Sequence, residues 1–264
     1  GSFATATGAL TGGWLAQVLQ TKNWSALDSH KFILSAYAVG GLLIGLLFLG
    51  LSSAVEVREK SSAQTKVVLG LHKSKSVVMR LSTLFALDAF AGGFVIQSLM
   101  AYWFHVKYGI NESTIGSIFF GANILAGISA LLAVRIAKKI GLINTMVFTH
   151  IPSNILLILV PLMPTLPLAI TVLLLRFSIS QMDVPTRQSY TMAVVDPDER
   201  SAASGVTAIA RSIGALASPA LTGLFLSVPA LLSAPFFLSG GLKIVYDLLL
   251  YREFRSVKPP RRKI

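Results

Sequence analysis

FILSAYAVGGLLIGLLFLGLSSAV, residues 32–55, runs for twenty-four residues without a charge. A helix needs about 20 mostly apolar residues to cross the hydrocarbon core of a bilayer, so this stretch is long enough to span one. The rest of the chain has the same character. Of its 264 residues 53% are hydrophobic and only 13% are charged, against about 25% charged in a soluble domain. The same length test yields eight runs, at 1–19, 32–55, 78–104, 114–136, 142–163, 167–190, 203–227 and 232–252. The last two are parted only by the short proline-containing turn SVPALLSAP (227–235). The sequence therefore predicts an all-α membrane protein with eight transmembrane helices and the lipid bilayer as its surroundings.

Between the second and third runs lies EVREKSSAQTKVVLGLHKSK (56–75), the longest polar stretch, which divides the chain into two runs before it and six after. The net charge of +12 comes from basic residues between apolar runs, which points to membrane-protein loops and away from nucleic acid. Seventeen of the 23 Lys and Arg fall around 56–80, 135–139 and 187–200 and in the tail YREFRSVKPPRRKI (251–264), whereas the opposite loops carry Lys22, Lys31 and Lys107. That asymmetry makes the basic side, with the C-terminus, the expected cytoplasmic one. No cysteine occurs, so disulfides, thiolate metal sites and cysteine nucleophiles are excluded. The chain opens on Gly1 inside an apolar run and shows no signal peptide, which reads as a fragment.

Polar residues inside the runs carry the functional signal. LLLRFSISQMDVP (173–185) places Arg176 roughly 14 Å from Pro167 at 1.5 Å per residue, near the bilayer centre. An intramembrane charge costs a few kcal/mol on insertion scales and faces a protein interior or an aqueous cavity. At 100° per residue Arg176, Ser180, Asp183 and Arg187 form one polar stripe on a continuous helix. Asp183 and Arg187, spaced i, i+4, are also positioned to pair with each other. Asp88 lies equally deep in the third run with no partner on its own helix. Two roles compete for it, countering Arg176 or carrying protons. Gln97, nine residues on, falls on the opposite side of a continuous helix from Asp88. Lys243 and Asp247 are expected to neutralise each other at i, i+4. His150 in FTHIPSN (148–154) reads as a packed hydrogen-bonding residue, and Asn123 and Asn154 as interhelical links or ligand contacts. In DPDERSAASG (196–205), Asp196, Pro197 and Glu199 form the signature of a helix start with a reciprocal cap.

Catalytic signatures are missing: there is no HExxH, GxSxG, phosphate loop or dinucleotide fingerprint, so no enzyme activity, cofactor or metal is expected.

The order of these features resembles the major facilitator superfamily, whose twelve helices form two six-helix halves joined by a long cytoplasmic loop. GALTGG (8–13) is similar to the family's GPxxGG element on helix five, with Ala9 in place of proline, and SPALTG (218–223) stands six helices later, as a two-half repeat requires. AVRIAKKIG (133–141) resembles a weakened DRxGRR loop that keeps Arg135, Lys138, Lys139 and Gly141 but has no Asp. Arg176 followed by the acidic turn at Arg200 resembles the family's second-half pattern. The resemblance implies that 1–55 holds the last two helices of the first half, 56–77 the central loop, 78–254 the second half and 255–264 a basic tail. It implies a secondary transporter of small solutes, an exporter being a common role, rocking around a midplane cavity and open to proton coupling. Substrate or proton candidates are Asp88, Arg176, Ser180, Asp183 and Asn123. Gly8, Gly12, Gly13, Pro219 and Gly223 would serve packing or gating, with Arg135, Lys138, Lys139, Arg187 and Arg200 on the cytoplasmic loops. These 264 residues alone are not expected to transport. Two other classes compete, a receptor-like or structural membrane protein of the same fold and a membrane-embedded lipid-modifying enzyme built on His150 and Asp88.

Overall fold

The computed structural model describes residues 1–50 and 70–257. Most of the central loop expected at 56–77, the end of the second apolar run and most of the basic tail lie outside the described residues. Among the described residues ten α-helices follow one another: α1 (Ser2–Thr21), α2 (Ala26–Leu49), α3 (Lys75–Gly93), α4 (Gln97–Tyr108), α5 (Glu112–Ile140), α6 (Leu142–Leu159), α7 (Leu166–Ser180), α8 (Asp183–Val194), α9 (Arg200–Leu226) and α10 (Ala234–Phe254). No strand occurs among the described residues. Seven segments of the described residues are long and apolar enough to cross a membrane: α2, α3 with α4, α5, α6, α7 with α8, α9 and α10. The first run forms α1, whose glycines, threonines and glutamines keep it less apolar than these seven.

The third and sixth runs are each two helices, and the reasons are local. In the third, Gly92-Gly93 ends α3, and Ile96 is extended with ψ 152° before α4 starts. Adjacent glycines are a common place for a helix to break. Here a neighbour supports the break, because the Thr222 hydroxyl on α9 donates to the freed Phe94 carbonyl at 3.2 Å. In the sixth, α7 stops at Ser180 and α8 starts at Asp183. Pro185 has no N–H to return to the Gln181 carbonyl, and a proline is tolerated in a helix's first turn. An acid at the first position of α8 also suits the positive end of its dipole.

The breaks correct two expectations that assumed continuous helices. Arg176 and Ser180 belong to α7 and Asp183 and Arg187 to α8, so the four do not lie along one continuous helix. Gln97 opens α4, so its direction relative to Asp88 is not set by nine residues of helix; its side chain accepts from Asn123 Nδ2 at 3.0 Å.

Packing pairs α3 with α9, α1 with α5 and α6 with α10, while α7 lies against α5 and α6. A small apolar cluster, of Leu71, Val78, Val195 and Ala203, and two larger ones fill the interior. One gathers Phe94, Trp103, Phe104, Phe119 and Phe236 around α4. The other gathers Leu81, Phe85, Met146, Tyr190, Tyr246 and Phe254, where α3, α6, α8 and α10 meet. Asp88 falls between Phe85 and Phe94 along the chain, so the buried charges sit between the two clusters.

Close helix approach explains some of the expected glycines and not others. A Cβ on Gly13 would meet the Glu112 carbonyl of α5 at 2.5 Å, and one on Gly116 would meet the Ala9 carbonyl of α1 at 2.6 Å. Gly8, Gly12 and Gly223 have nothing in that space. On α9 the tight contacts are instead Gly214 against the Ala86 carbonyl and Ser218 against Gly93. Pro219 lies inside α9, next to Ser218.

Candidate functional site: a buried charge cluster beside a cavity

Asp88 on α3 is 3% exposed and gathers cations from three other helices. Lys243 Nζ of α10 reaches Oδ1 at 2.5 Å. Arg187 Nη1 of α8 and Arg211 Nη1 of α9 both reach Oδ2, at 2.9 and 3.0 Å. Arg187 also contacts Asp183 at 3.1 Å, one turn back on its own helix. A buried ion is tolerated when charges and hydrogen bonds around it are matched, and removing one partner is strongly destabilising. The Asp88 carboxylate therefore ties α8, α9 and α10 to α3 at one point.

This geometry corrects three expectations. Asp88 does not counter Arg176: its partners among the described residues are Arg187, Arg211 and Lys243. Lys243 and Asp247 do not neutralise each other, because Lys243 turns to Asp88. Asp247 is instead engaged across to α6, by His150 Nδ1 at 2.9 Å and Asn154 Nδ2 at 3.1 Å. Arg187, counted with the loop cations, is buried in α8. Chain spacing proposed the i, i+4 pair on α10, but both side chains have better-placed partners on neighbouring helices.

The other candidates are spread more widely. Arg176 is half-buried on α7; its Nε is enclosed without a hydrogen-bond partner among the described residues, and its guanidinium lies 5.0 Å from the Phe177 ring centre. Ser180, one turn on, is buried with its hydroxyl unpartnered among the described residues. Asn123 on α5 donates to Gln97 and to its own helix at the Phe119 carbonyl, which joins α4 to α5. Arg135, Lys138 and Lys139 are exposed at the end of α5. Arg200 donates from Nε to the Met192 carbonyl at 3.0 Å, tying the start of α9 to α8.

Two larger cavities open on the bundle. One of about 620 Å³ lies between α3, α8 and α9 and has Arg187 and Arg211 in its wall. The other, about 750 Å³, lies between α1, α2, α4 and α5 and is lined by Gly12, Gly13, Gln97 and Glu112 among others. Arg211 is not among the sequence candidates. It lies inside the apolar run 203–227, which carries no acid, and that is the signal that could have found it.

At the end of the bundle where α3 and α9 begin, Glu199 does something other than cap its own helix. Its carboxylate is buried and accepts the backbone N–H groups of His72, Lys73 and Ser74, the last two at 2.9 and 2.8 Å. Burial raises the Glu199 carboxyl, but the Ser74 side chain and these N–H donors outweigh it and hold it down to about 2. The Asp196 N–H returns a bond to Ser74 Oγ at 3.1 Å, and the His72 ring meets Asp198 at 2.9 Å. The sequence signature of a reciprocal cap is thus spent on the start of α3, 125 residues earlier in the chain for the Ser74 bond.

Comparison with known proteins agrees with this architecture. The chain is 29% identical over 189 residues to the "Uncharacterized membrane protein YJR124C" of Saccharomyces cerevisiae, across 71% of this chain and 42% of that protein. The chain thus spans less than half the length of this curated relative. The sequence pattern described as Major Facilitator Superfamily matches residues 1–219 and, in a second overlapping alignment, 89–263. With its broken, apolar helices and buried intramembrane charges, the chain is a multi-pass membrane protein and belongs to the Major Facilitator Superfamily.

Proposed function

We propose that the protein is a secondary transporter that moves a small solute by alternating access, with the Asp88 cluster as its hub. The observation that carries this reading is a carboxylate held by three cations from three helices, beside two helices that break within the membrane. Discontinuous helices around a midplane site are where transporters place solute and coupling ion, and intramembrane ionisable groups are functional by default. Arg176, with its enclosed and unpartnered Nε, presents a fixed positive charge to the solute path; Ser180, Asp183 and Asn123 border that path. Protons couple to the cycle at Asp88, which alternates between its three cations and a proton as the helices part. The basic face, with Arg135, Lys138, Lys139 and Arg200, is cytoplasmic, and export is the proposed direction. The two helices before residue 56 belong to the first half of the transporter and those after residue 77 to the second.

The test is flux in vesicles containing the whole protein, under an imposed pH gradient, with a panel of labelled small solutes. Asp88→Asn is expected to abolish gradient-driven accumulation while exchange of the same solute across the membrane persists. Arg176→Gln is expected to lower both. Should both variants lose only thermal stability, with flux per folded molecule unchanged, the charges are structural and the receptor-like or structural reading takes over.

A further inference from the structure

The cavity between α3, α8 and α9 has an asymmetric wall. Two guanidiniums, Arg187 and Arg211, face it, and none of its lining residues is acidic. Gln188, Thr191, Ser204 and Ser212 add hydrogen-bonding groups. Arg211 spends one N–H, from Nη1, on Asp88, and a guanidinium carries five. Its side chain is 35% exposed, so the remaining donors point to space that a ligand can enter. Arg187 meets both its carboxylates through Nη1. In the cluster itself three cations, Lys243, Arg187 and Arg211, stand against two carboxylates, Asp88 and Asp183. Asp247, the next acid along α10, is already engaged by His150 and Asn154. Arg211 is the most accessible of the three cations.

From this geometry we infer that the cavity binds a small organic anion, whose oxyanion head is taken by Arg211 together with Arg187 and whose polar body lies against Thr191 and Ser204. Arginine forks match a carboxylate or a phosphate in a two-point, charge-assisted contact. An anion seated there also competes with Asp88 for Arg211. Solute binding thereby loosens the tie between α9 and α3, which links occupancy to helix movement. The inference names the solute class for the transporter proposed above and rests on that reading for its purpose, though binding itself is measurable without transport.

The experiment uses the whole protein in lipid nanodiscs at fixed ionic strength, with pyruvate, malate and glucose 6-phosphate as probes and glucose and choline as neutral and cationic controls. At least one anion is expected to raise the unfolding temperature, and the controls are not. Response to the organic acids identifies a carboxylate head, and response to glucose 6-phosphate alone a phosphate ester. Arg211→Gln should weaken the responding anion by about tenfold or more, the usual cost of losing one charged hydrogen-bonding partner. On the unaltered protein, the same anion should protect Arg211 from phenylglyoxal labelling read by mass spectrometry, a measurement that does not depend on the variant folding. Stabilisation by glucose or choline equal to that by the anions overturns the inference, as does Arg211 labelling that no anion changes. Anion binding without flux in vesicles would leave this site standing and remove the transporter reading. Flux of a neutral solute, indifferent to all three anions, would do the reverse.

Discussion

Asp88 carries more of this molecule than its size suggests, because three cations are satisfied through its two oxygens. Asp88→Asn removes the carboxylate that Lys243, Arg187 and Arg211 share and leaves Asp183 paired with Arg187. Breaking a buried ion pair from one side costs about 3–5 kcal/mol, and this substitution is expected to fall at the upper end. Lys243→Met still leaves Asp88 two cations and is expected to cost less. Thermal unfolding in detergent, read on both single variants and the double variant, checks the order. The double variant should be more stable than Asp88→Asn alone, since it removes one stranded charge. Part of this was legible in the chain: Asp88 and Arg176 stand out as deep charges without partners on their own helices. The partner assignments were not legible, because a carboxylate chooses among four helices by three-dimensional distance while sequence spacing shows only one helix at a time. Arg211 is the clearest example, an arginine on the little-buried α9 that gains its meaning from α3.

At the scale of helices, the breaks and contacts make glycines separable by role. A methyl group on Gly214 would run into the Ala86 backbone, so Gly214→Ala is expected to push α9 off α3 and lower the unfolding temperature. Gly223, also in α9, meets nothing. Gly223→Ala is expected to be neutral or to stabilise by roughly 0.5–1 kcal/mol, the cost of glycine inside a helix. Opposite signs for two Gly→Ala changes on one helix would verify the packing, and equal signs would contradict it. The family resemblance singled out Gly223 by its place in a repeat, which marks a position and not a neighbour. The helices themselves were readable as apolar runs of membrane length, and each of the eight runs is mostly helical where described, the third and sixth as two helices apiece. The two breaks were written in Gly92-Gly93 and Pro185, but hydropathy averages over such signals and reports one long run.

Across the whole molecule, the Glu199 contacts join the start of α3 to the turn between α8 and α9, so the most tightly packed helix pair is also tied at its end. Glu199→Ala removes the acceptor for three backbone N–H groups and is expected to make residues 72–74 exchange their amide hydrogens faster, without altering the Asp88 cluster. Because the Glu199 carboxyl is held below its ordinary value, its contribution to stability is present above the usual glutamate range and is lost as pH falls towards 2. Unfolding measured across neutral to mildly acid pH should therefore show no loss from this group, and Glu199→Gln should flatten the strongly acidic limb. At the packing contact of α1 with α5, Gly13 and Gly116 let the two backbones touch, while Phe3 packs on Gly127 and the Trp14–Ser117 and Gln20–Glu112 hydrogen bonds flank the contact. These 264 residues contain no cysteine. With cysteines in place of Gln20 and Glu112, whose side chains meet across these two helices at 3.5 Å, the yield of a thiol-reactive crosslink in the presence and absence of solute would report how far the helices travel past each other during a cycle.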